Sequence, residues 1–250
     1  MVRTSPFALR ALSVCTLLAL VCTAIAVPSN ATSSAVPQER HADAPVALEV
    51  DTTREAGWNI EERGSIDPAV FDLALGAVGC AVKSGSIQDP STLTVIDYSR
   101  PSTEKRFWVF DLHNQTLLYE ELVAHGRGSG ENLATEFSNQ PDSHQSSLGL
   151  FVTQDTYVGR NGYSLRLRGL DEGFNDRAYE RAIVMHGAPY VGEEFVRSMG
   201  RLGRSWGCPA LREGVARAVI DRVKGSGLVF AYYPDPAWLS SSKFLGGCRG

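Results

Sequence analysis

Two runs of sequence decide the fold: Ile183-Val184-Met185-His186-Gly187-Ala188 and Gly203-Arg204-Ser205-Trp206-Gly207-Cys208-Pro209-Ala210-Leu211. The first reads as an apolar strand that reaches a histidine, and the second as a tight turn that carries a cysteine. Thiolates, not thiols, attack acyl groups, so a catalytic cysteine needs a base or a positive neighbour to lower its pKa from about 8.5. His186 at the rim of a sheet can be that base if the turn brings the sulfur of Cys208 to its ring.

The turn around the cysteine also has the residues of an oxyanion site. The backbone N–H groups of Trp206, Gly207 and Cys208 can converge on a developing negative charge. Gly207 permits a sharp turn, and Pro209, which has no N–H, can rigidify its exit. A structural alternative stays open at this point, in which a buried cysteine and a satisfied strand-end histidine never meet.

Residues 1–26 have the pattern of a secretory signal peptide. Arg3 and Arg10 give a positive start, residues 11–26 are uncharged, and Ala24-Ile25-Ala26 offers small residues for cleavage. A bilayer span needs about 20 apolar residues, so this run is short for one. We therefore expect export from the cytoplasm, with no stable membrane span after cleavage. A retained N-terminal anchor and lipid attachment at Cys22 are the alternatives.

The charge and the cysteines narrow the possible partners. A net charge of −4 gives no basic surface of the kind that nucleic-acid binding favours, so no nucleic-acid partner is expected. Signal cleavage leaves three cysteines, an odd number that leaves one thiol unpaired or reactive in an oxidising compartment. Their spacings suit neither a zinc knuckle nor a Cys-x-x-Cys site, and the histidines lack ligand spacing, so no metal is expected. Those histidines, interpreted as polar loop or strand residues, are His113, His125 and His144.

A disulfide between Cys80 and Cys248 would leave Cys208 as the free thiol. Cys80 lies on a helix face of small residues where the C-terminal tail can dock, and glycines flank Cys248. The alternative is a core Cys80 and a frayed terminal thiol, because connectivity cannot be deduced from sequence alone.

Beyond the signal, the chain divides into a flexible linker at 27–62 and a catalytic domain at 63–250. Asp67 caps a helix that starts at Pro68, with an apolar stripe of Phe71, Leu75, Val78 and Val82. A second helix is predicted at 212–224 and strands at 93–98, 106–112, 116–123, 148–153, 163–168, 181–186 and 227–233. Since strands and helices do not alternate, a mainly β, mostly antiparallel sheet or sandwich with a few helices is favoured.

Several spaced blocks resemble the YkuD-type L,D-transpeptidases of bacterial cell walls, in particular the murein L,D-transpeptidase catalytic-domain branch. His186-Gly187 followed by Ser205-x-Gly207-Cys208 is similar to the signature of these enzymes. Further matching blocks lie at 137–139, 146–149, 162–165, 169–170, 175–176, 186–188 and 203–210. The likeness implies an antiparallel β-sandwich of the L,D-transpeptidase type.

The same resemblance implies a mechanism. Cys208 would attack the carbonyl after the third residue of a peptidoglycan stem tetrapeptide and release D-Ala. The acyl group would pass to a second stem's amine, a lipoprotein lysine or water. His186 would act as base and acid, oriented by the carbonyl of Gly187, and no metal or organic cofactor is implied.

Three features depart from the family's pattern. Trp206 stands where a histidine is usual, the stretch from His to Cys is longer, and Ala210 replaces an arginine. The candidates for contacting substrate are Ser205, Arg204 and Tyr163, with Arg201 as an alternative to Arg204 in binding the carboxylate.

Two rival functions use the same residues. A wall-peptide hydrolase, whether L,D-carboxypeptidase or endopeptidase, would release the same acyl-enzyme with water, and sequence cannot separate it from a transpeptidase. A non-catalytic peptidoglycan-binding module is the rival from another class. Papain-like peptidases place the cysteine before the histidine, so chain order counts against them.

Overall fold

The computed structural model describes residues 57–59, 63–246 and 248. The predicted signal peptide at 1–26 and nearly all of the predicted linker at 27–62 lie outside these residues. No helix in the described part of the chain is long and apolar enough to cross a membrane.

One eight-stranded sheet, in the order β3-β2-β1-β8-β4-β5-β6-β7, organises the described residues. Its strands are β1 Thr92–Asp97, β2 Phe107–Asp111, β3 Thr116–Glu121, β4 Gly149–Gly159, β5 Gly162–Gly169, β6 Val184–Ala188, β7 Ala210–Arg212 and β8 Gly227–Tyr232. The helices are α1 Pro68–Lys83, α2 Glu193–Met199, α3 Glu213–Val223 and α4 Pro236–Ser241. Only the β1–β8 and β6–β7 pairs of this sheet run parallel. The prediction of a mainly β, mostly antiparallel fold with a few helices is confirmed.

The sheet curls until its two edges meet. Ala124, just beyond β3, forms an antiparallel bridge with Ala210 in β7, and Gly126 bridges Ser205. β1, β2 and β8 are buried along their whole length, as expected of strands covered on both faces. This closure brings the segment after β3 against the turn that carries Cys208.

The first helix forms as predicted, and it buries both part of the apolar stripe and the face of small residues. The carboxylate of Asp67 accepts hydrogen bonds from the N–H groups of Ala69 at 2.8 Å and Val70 at 3.4 Å, and Pro68 occupies the first turn. The predicted apolar stripe is wrong at Val82, which is 43% exposed. Small residues form much of the buried face, because they allow close approach of neighbouring segments: Ala74, Ala77, Cys80 and Ala81. Cys80 forms a disulfide with Cys248 on this face.

Among the strands and α-helices, three were not predicted, and one strand begins three residues late. β7 has only three residues, α2 has no buried residue, and α4 follows a short Asp-Pro signal at its start. β6 begins at Val184 because Arg181 belongs to the preceding turn, where its N–H donates to the carbonyl of Arg177 at 2.9 Å.

Candidate active site

The β6–β7 pairing brings the predicted histidine and cysteine to neighbouring strands. His186 is in register with Ala210, so Cys208, two residues before Ala210, lies beside Val184, two residues before His186. The backbone N–H of Val184 donates to the Cys208 sulfur at 3.4 Å. His186 and Cys208 are both buried, with 4% and 8% of their surfaces exposed. The two predicted residues therefore lie on neighbouring, paired segments of the sheet.

The surroundings of Gly187 show which face of the sheet carries the side chain of His186. A Cβ atom on Gly187 would lie 3.1 Å from the Cβ of Ala216 in α3. Because side chains alternate along a strand, the imidazole of His186 projects from the face opposite α3.

The imidazole is oriented by the carbonyl that follows it. Nδ1 of His186 lies 2.8 Å from the carbonyl oxygen of Gly187, the contact that the family resemblance implies. A carbonyl can only accept, so the hydrogen bond assigns the proton of the neutral ring to Nδ1 and leaves Nε2 as the basic nitrogen. Burial lowers the pKa of His186, and its hydrogen bond to Gly187 opposes that shift. The resting ring is therefore neutral at physiological pH.

The thiol of Cys208 is also held in its neutral form. Burial raises its pKa, and the hydrogen bond from Val184 and the charge of Arg181 act in the opposite direction. Its Sγ donates to the carbonyl oxygen of Ala182, with 3.8 Å between sulfur and oxygen. No hydrogen bond among the described residues joins this thiol to His186. In enzymes, hydrogen bonds between catalytic groups often tighten only when substrate is bound.

The turn before Cys208 is braced from within by Ser205. Its Oγ–H donates to the carbonyl of Cys208 at 2.6 Å and its Oγ accepts the N–H of Gly207 at 3.2 Å. Gly207 has a φ of +112°, and a Cβ there would lie 2.7 Å from the carbonyl oxygen of Gln145, so the position requires glycine. Ser205 thus braces the turn, where substrate contact was predicted.

The oxyanion prediction needs one correction. The N–H of Gly207 is already used by Ser205, whereas the N–H groups of Trp206 and Cys208 donate to no hydrogen bond within the described residues. Of the three predicted donors, Trp206, Gly207 and Cys208, only Gly207 therefore has its N–H engaged within the turn. The ring of Trp206 is 62% exposed, with the ring of His144 at 5.0 Å and the guanidinium of Arg127 at 5.5 Å.

Two predicted substrate contacts are engaged elsewhere. Tyr163 lies on the α3 face of the sheet, where its hydroxyl donates to Asp221 at 2.7 Å and Arg217 stacks on its ring at 4.2 Å. Its neighbour Ser164 is the residue in register with His186, so the prediction of a substrate contact for Tyr163 is wrong.

The predicted carboxylate-binding arginines already share an acidic partner. Arg204 pairs with Glu131 at 2.6 Å and also donates to the carbonyl of Gly130 at 3.0 Å, while Arg201 reaches the same carboxylate at 2.8 Å. In this arrangement both guanidinium groups are paired with Glu131, so neither is free to bind a substrate carboxylate.

Three residues that sequence reasoning missed interact electrostatically with Cys208: Arg181, Tyr98 and Tyr190. Burial raises the pKa of each tyrosine to about 12, and the nearby cysteine acts in the same direction. Arg181 comes five residues before His186 in the sequence, but nothing in the local pattern showed that it would meet the sulfur.

A buried Arg106–His125 pair supports the turn from behind. Arg106 donates to Nδ1 of His125 at 2.7 Å, so Nε2 carries the proton and faces the carbonyl of Gly130 at 3.4 Å. The carbonyl of His125 accepts the N–H of Ser205 at 3.0 Å. Burial and the charge of Arg106 lower the pKa of His125 to about 4, so it is neutral.

Within the described residues, no group of three or more His, Cys, Asp or Glu side chains is placed to hold a metal ion.

Comparison with known proteins gives a family match over most of the described chain. Residues 62–232 match the family model described as L,D-transpeptidase catalytic domain. No curated protein matches the chain significantly.

Solved structures give weaker similarities. An L,D-transpeptidase from Mycobacterium smegmatis is 15% identical with a TM-score of 0.36, the match covering 58% of this chain and 59% of that one. An L,D-transpeptidase from Mycobacterium tuberculosis is 13% identical with a TM-score of 0.37, covering 58% of each chain. The helical cell shape determining protein Pgp2 from Campylobacter jejuni is 12% identical with a TM-score of 0.40, covering 60% of this chain and 49% of that one. The matches thus span less than two thirds of these proteins.

Proposed function

The chain belongs to the L,D-transpeptidase catalytic domain family, and from this membership we propose that it transfers acyl groups between peptidoglycan stem peptides through a Cys208 thioester. The observation that carries the proposal is the register of β6 and β7, which sets Cys208 beside the strand of His186 inside the matched region. Acyl transfer by a cysteine requires a thiol, a base and donors for the oxyanion. Here these are the buried thiol of Cys208, the neutral imidazole of His186 and the unused N–H groups of the cysteine turn.

The first half of the reaction forms the acyl-enzyme. Nε2 of His186 takes the thiol proton, and the thiolate of Cys208 attacks the carbonyl carbon after the third residue of a stem tetrapeptide. The oxyanion that forms receives the N–H groups of Trp206 and Cys208. As the intermediate collapses, the C–N bond breaks, the imidazolium gives its proton to the departing amine of D-Ala, and a thioester remains.

The second half transfers the acyl group. The amine of a second stem attacks the thioester, and His186 accepts the proton that this amine loses. The C–S bond then breaks, and His186 returns the proton to the sulfur to regenerate the Cys208 thiol. No step requires a metal or organic cofactor. Water in place of the amine would give the hydrolase reaction from the same intermediate.

Such a reaction places the protein where peptidoglycan is. We expect the mature chain in the periplasm or cell wall, after cleavage of the signal predicted at residues 1–26. Its partners in this proposal are stem peptides, which carry the carboxylates and amines that the two half-reactions use.

The test is incubation of the purified protein with wall tetrapeptide fragments, followed by mass analysis of the products. Cross-linked dimers or amine-exchanged peptides that are absent with Cys208→Ala support transpeptidation. Tripeptides alone assign the hydrolase reaction, and no product at all from a folded protein with a reactive thiol contradicts the enzyme proposal.

A further inference from the structure

We propose that Arg181 is a positioning residue that supplies the positive charge for the Cys208 thiolate and fixes the loop beside it, a role that rests on the proposed nucleophile. In this proposal Arg181 stabilises the negative charge of the thiolate, while His186 accepts the proton that the thiol loses.

The guanidinium of Arg181 lies against the turn that carries the cysteine. A Cβ atom placed on Gly207, the residue before Cys208, would be 3.4 Å from Nη2 of Arg181. The next residue in the chain, Ala182, provides the carbonyl that accepts the Sγ–H of Cys208. Two contacts therefore connect Arg181 to Cys208: its guanidinium lies near Gly207, and the carbonyl of the next residue accepts a hydrogen bond from the sulfur.

The charge of Arg181 is not neutralised by an acid in the described structure. Its hydrogen-bond acceptors are neutral oxygens: the carbonyls of Ser138 and Gln145, both at 2.7 Å, and the hydroxyls of Ser147 at 2.5 Å and Ser143 at 3.2 Å. Other arginines of the domain pair with carboxylates, Arg177 with Glu180 and Arg212 with Glu121. A half-buried cation without such a partner can act on a nearby sulfur, because fewer water molecules screen it.

No other described group near the sulfur provides a positive charge. His186 is neutral in the resting protein, and its Nδ1–H is committed to Gly187. Tyr98 and Tyr190 carry no charge near neutral pH, since burial raises the pKa of each to about 12. Arg181 is the charged side chain that favours the ionised form of Cys208.

Arg181 also fixes the loop that holds the catalytic turn. Its four acceptors lie between residues 138 and 147, a segment that we call the serine loop. From the serine loop, Ser146 donates to the carbonyl of Gly207 at 3.3 Å and accepts the N–H of Gly126 at 3.0 Å. Loss of the guanidinium would thus loosen the turn as well as remove the charge.

The experiment measures the rate of Cys208 alkylation by iodoacetamide as a function of pH, read from the Cys208 peptide by mass spectrometry. In Arg181→Met the midpoint should move up by about one pH unit, which lowers the rate at a fixed pH below the midpoint about tenfold. Arg181→Lys keeps a cation and should restore most of the rate. Arg197→Met, which removes an exposed cation paired with Glu193, should leave the profile unchanged.

A second variant separates the charge from the loop. Ser143→Ala with Ser147→Ala removes two acceptors of Arg181 and keeps its charge, so the midpoint should stay in place. The proposal is overturned if Arg181→Met alkylates like the wild type, or if the double serine variant shifts the midpoint as much as Arg181→Met does. Alkylation needs no wall peptide, so the expected shift without any acyl-transfer product would contradict the proposed function and leave this inference standing.

Discussion

The backbone N–H of Val184 donates to the sulfur of Cys208 at 3.4 Å, which ties the thiol to the strand that carries His186. The same strand thus contacts the candidate nucleophile through its backbone and presents the candidate base two residues later. Since burial raises the pKa of the thiol and lowers that of the imidazole, the neutral pair is the stable resting form. In the reaction proposed above, deprotonation of Cys208 would then accompany substrate binding.

Replacing the candidate nucleophile or base should separate their roles. Cys208→Ala should abolish acyl transfer, because the covalent route needs the sulfur, and Cys208→Ser should fold and stay inactive, since a hydroxyl is far harder to ionise. His186→Ala should lower kcat/KM about 10² to 10⁴-fold, the usual contribution of a general base. Product formation from tetrapeptide fragments measures both effects, and wild-type-like turnover of Cys208→Ala would sink the mechanism.

Trp206 should matter through its backbone more than through its ring. Trp206→His keeps the N–H and should retain much of the activity, whereas Trp206→Pro removes the donor and distorts the turn and should lose it. The exposed ring contacts only His144 and Arg127 among the described aromatic and cationic neighbours, so its loss leaves the core intact. Equal acyl-transfer rates for the two variants would contradict a role for the backbone.

The buried His125 should make the fold sensitive to acid. Its folded pKa of about 4 lies below the ordinary 6.5, so the unfolded chain binds this proton more readily. The stabilisation is complete above pH 6.5 and is lost as the pH falls towards 4, a change of roughly 3 kcal/mol for one group. His125→Gln can keep both hydrogen bonds without titrating, so it should flatten this part of the stability curve.

Urea unfolding at several pH values between 7 and 4 measures that curve. His113→Gln is the matched control, because that side chain is 56% exposed and lies away from Arg106. The interpretation fails if His125→Gln loses stability with falling pH as steeply as the wild type does.

The fold was largely readable from the sequence because its strands carry strong local signals. β5 is an example, with Leu165 and Leu167 buried and Arg168 exposed. β7 could not be predicted, because three residues are too few to show an alternation of apolar and polar side chains. The strand forms through its pairing with His186 and Ala124. Short elements of this kind are decided by tertiary contacts rather than by local preference.

The candidate site was readable at its centre and not at its periphery. His186 and Cys208 stand in a distinctive local pattern, and the turn of Gly207 follows from its need for positive φ. Tyr163 was misplaced because a one-residue step along a strand changes the face, which local sequence does not fix without the register. Arg181 was missed because its meeting with Cys208 depends on the packing of two segments distant in sequence.

The disulfide between Cys80 and Cys248 fixes the C-terminal tail to α1. Phe244 and Leu245 are buried just before it, and Ser242 donates to the buried carboxylate of Asp171 at 2.5 Å. Because the bond links residues 168 apart, opening it should release much conformational entropy to the unfolded chain. The tail is then expected to depend on the disulfide for part of its stability.

Replacing both cysteines, Cys80→Ala with Cys248→Ala, should lower the free energy of unfolding by about 2 to 5 kcal/mol, as loss of a native disulfide usually does. Denaturant unfolding with and without reductant measures the change, and reductant should destabilise the wild type but not the double variant. Cys208→Ala is the control, because it removes the free thiol and keeps the disulfide. Denatured, unreduced chain that begins at residue 27 should titrate as one free thiol in the wild type and none in this control. Three free thiols in the wild type, or a double variant as stable as the oxidised wild type, would refute the stabilising disulfide.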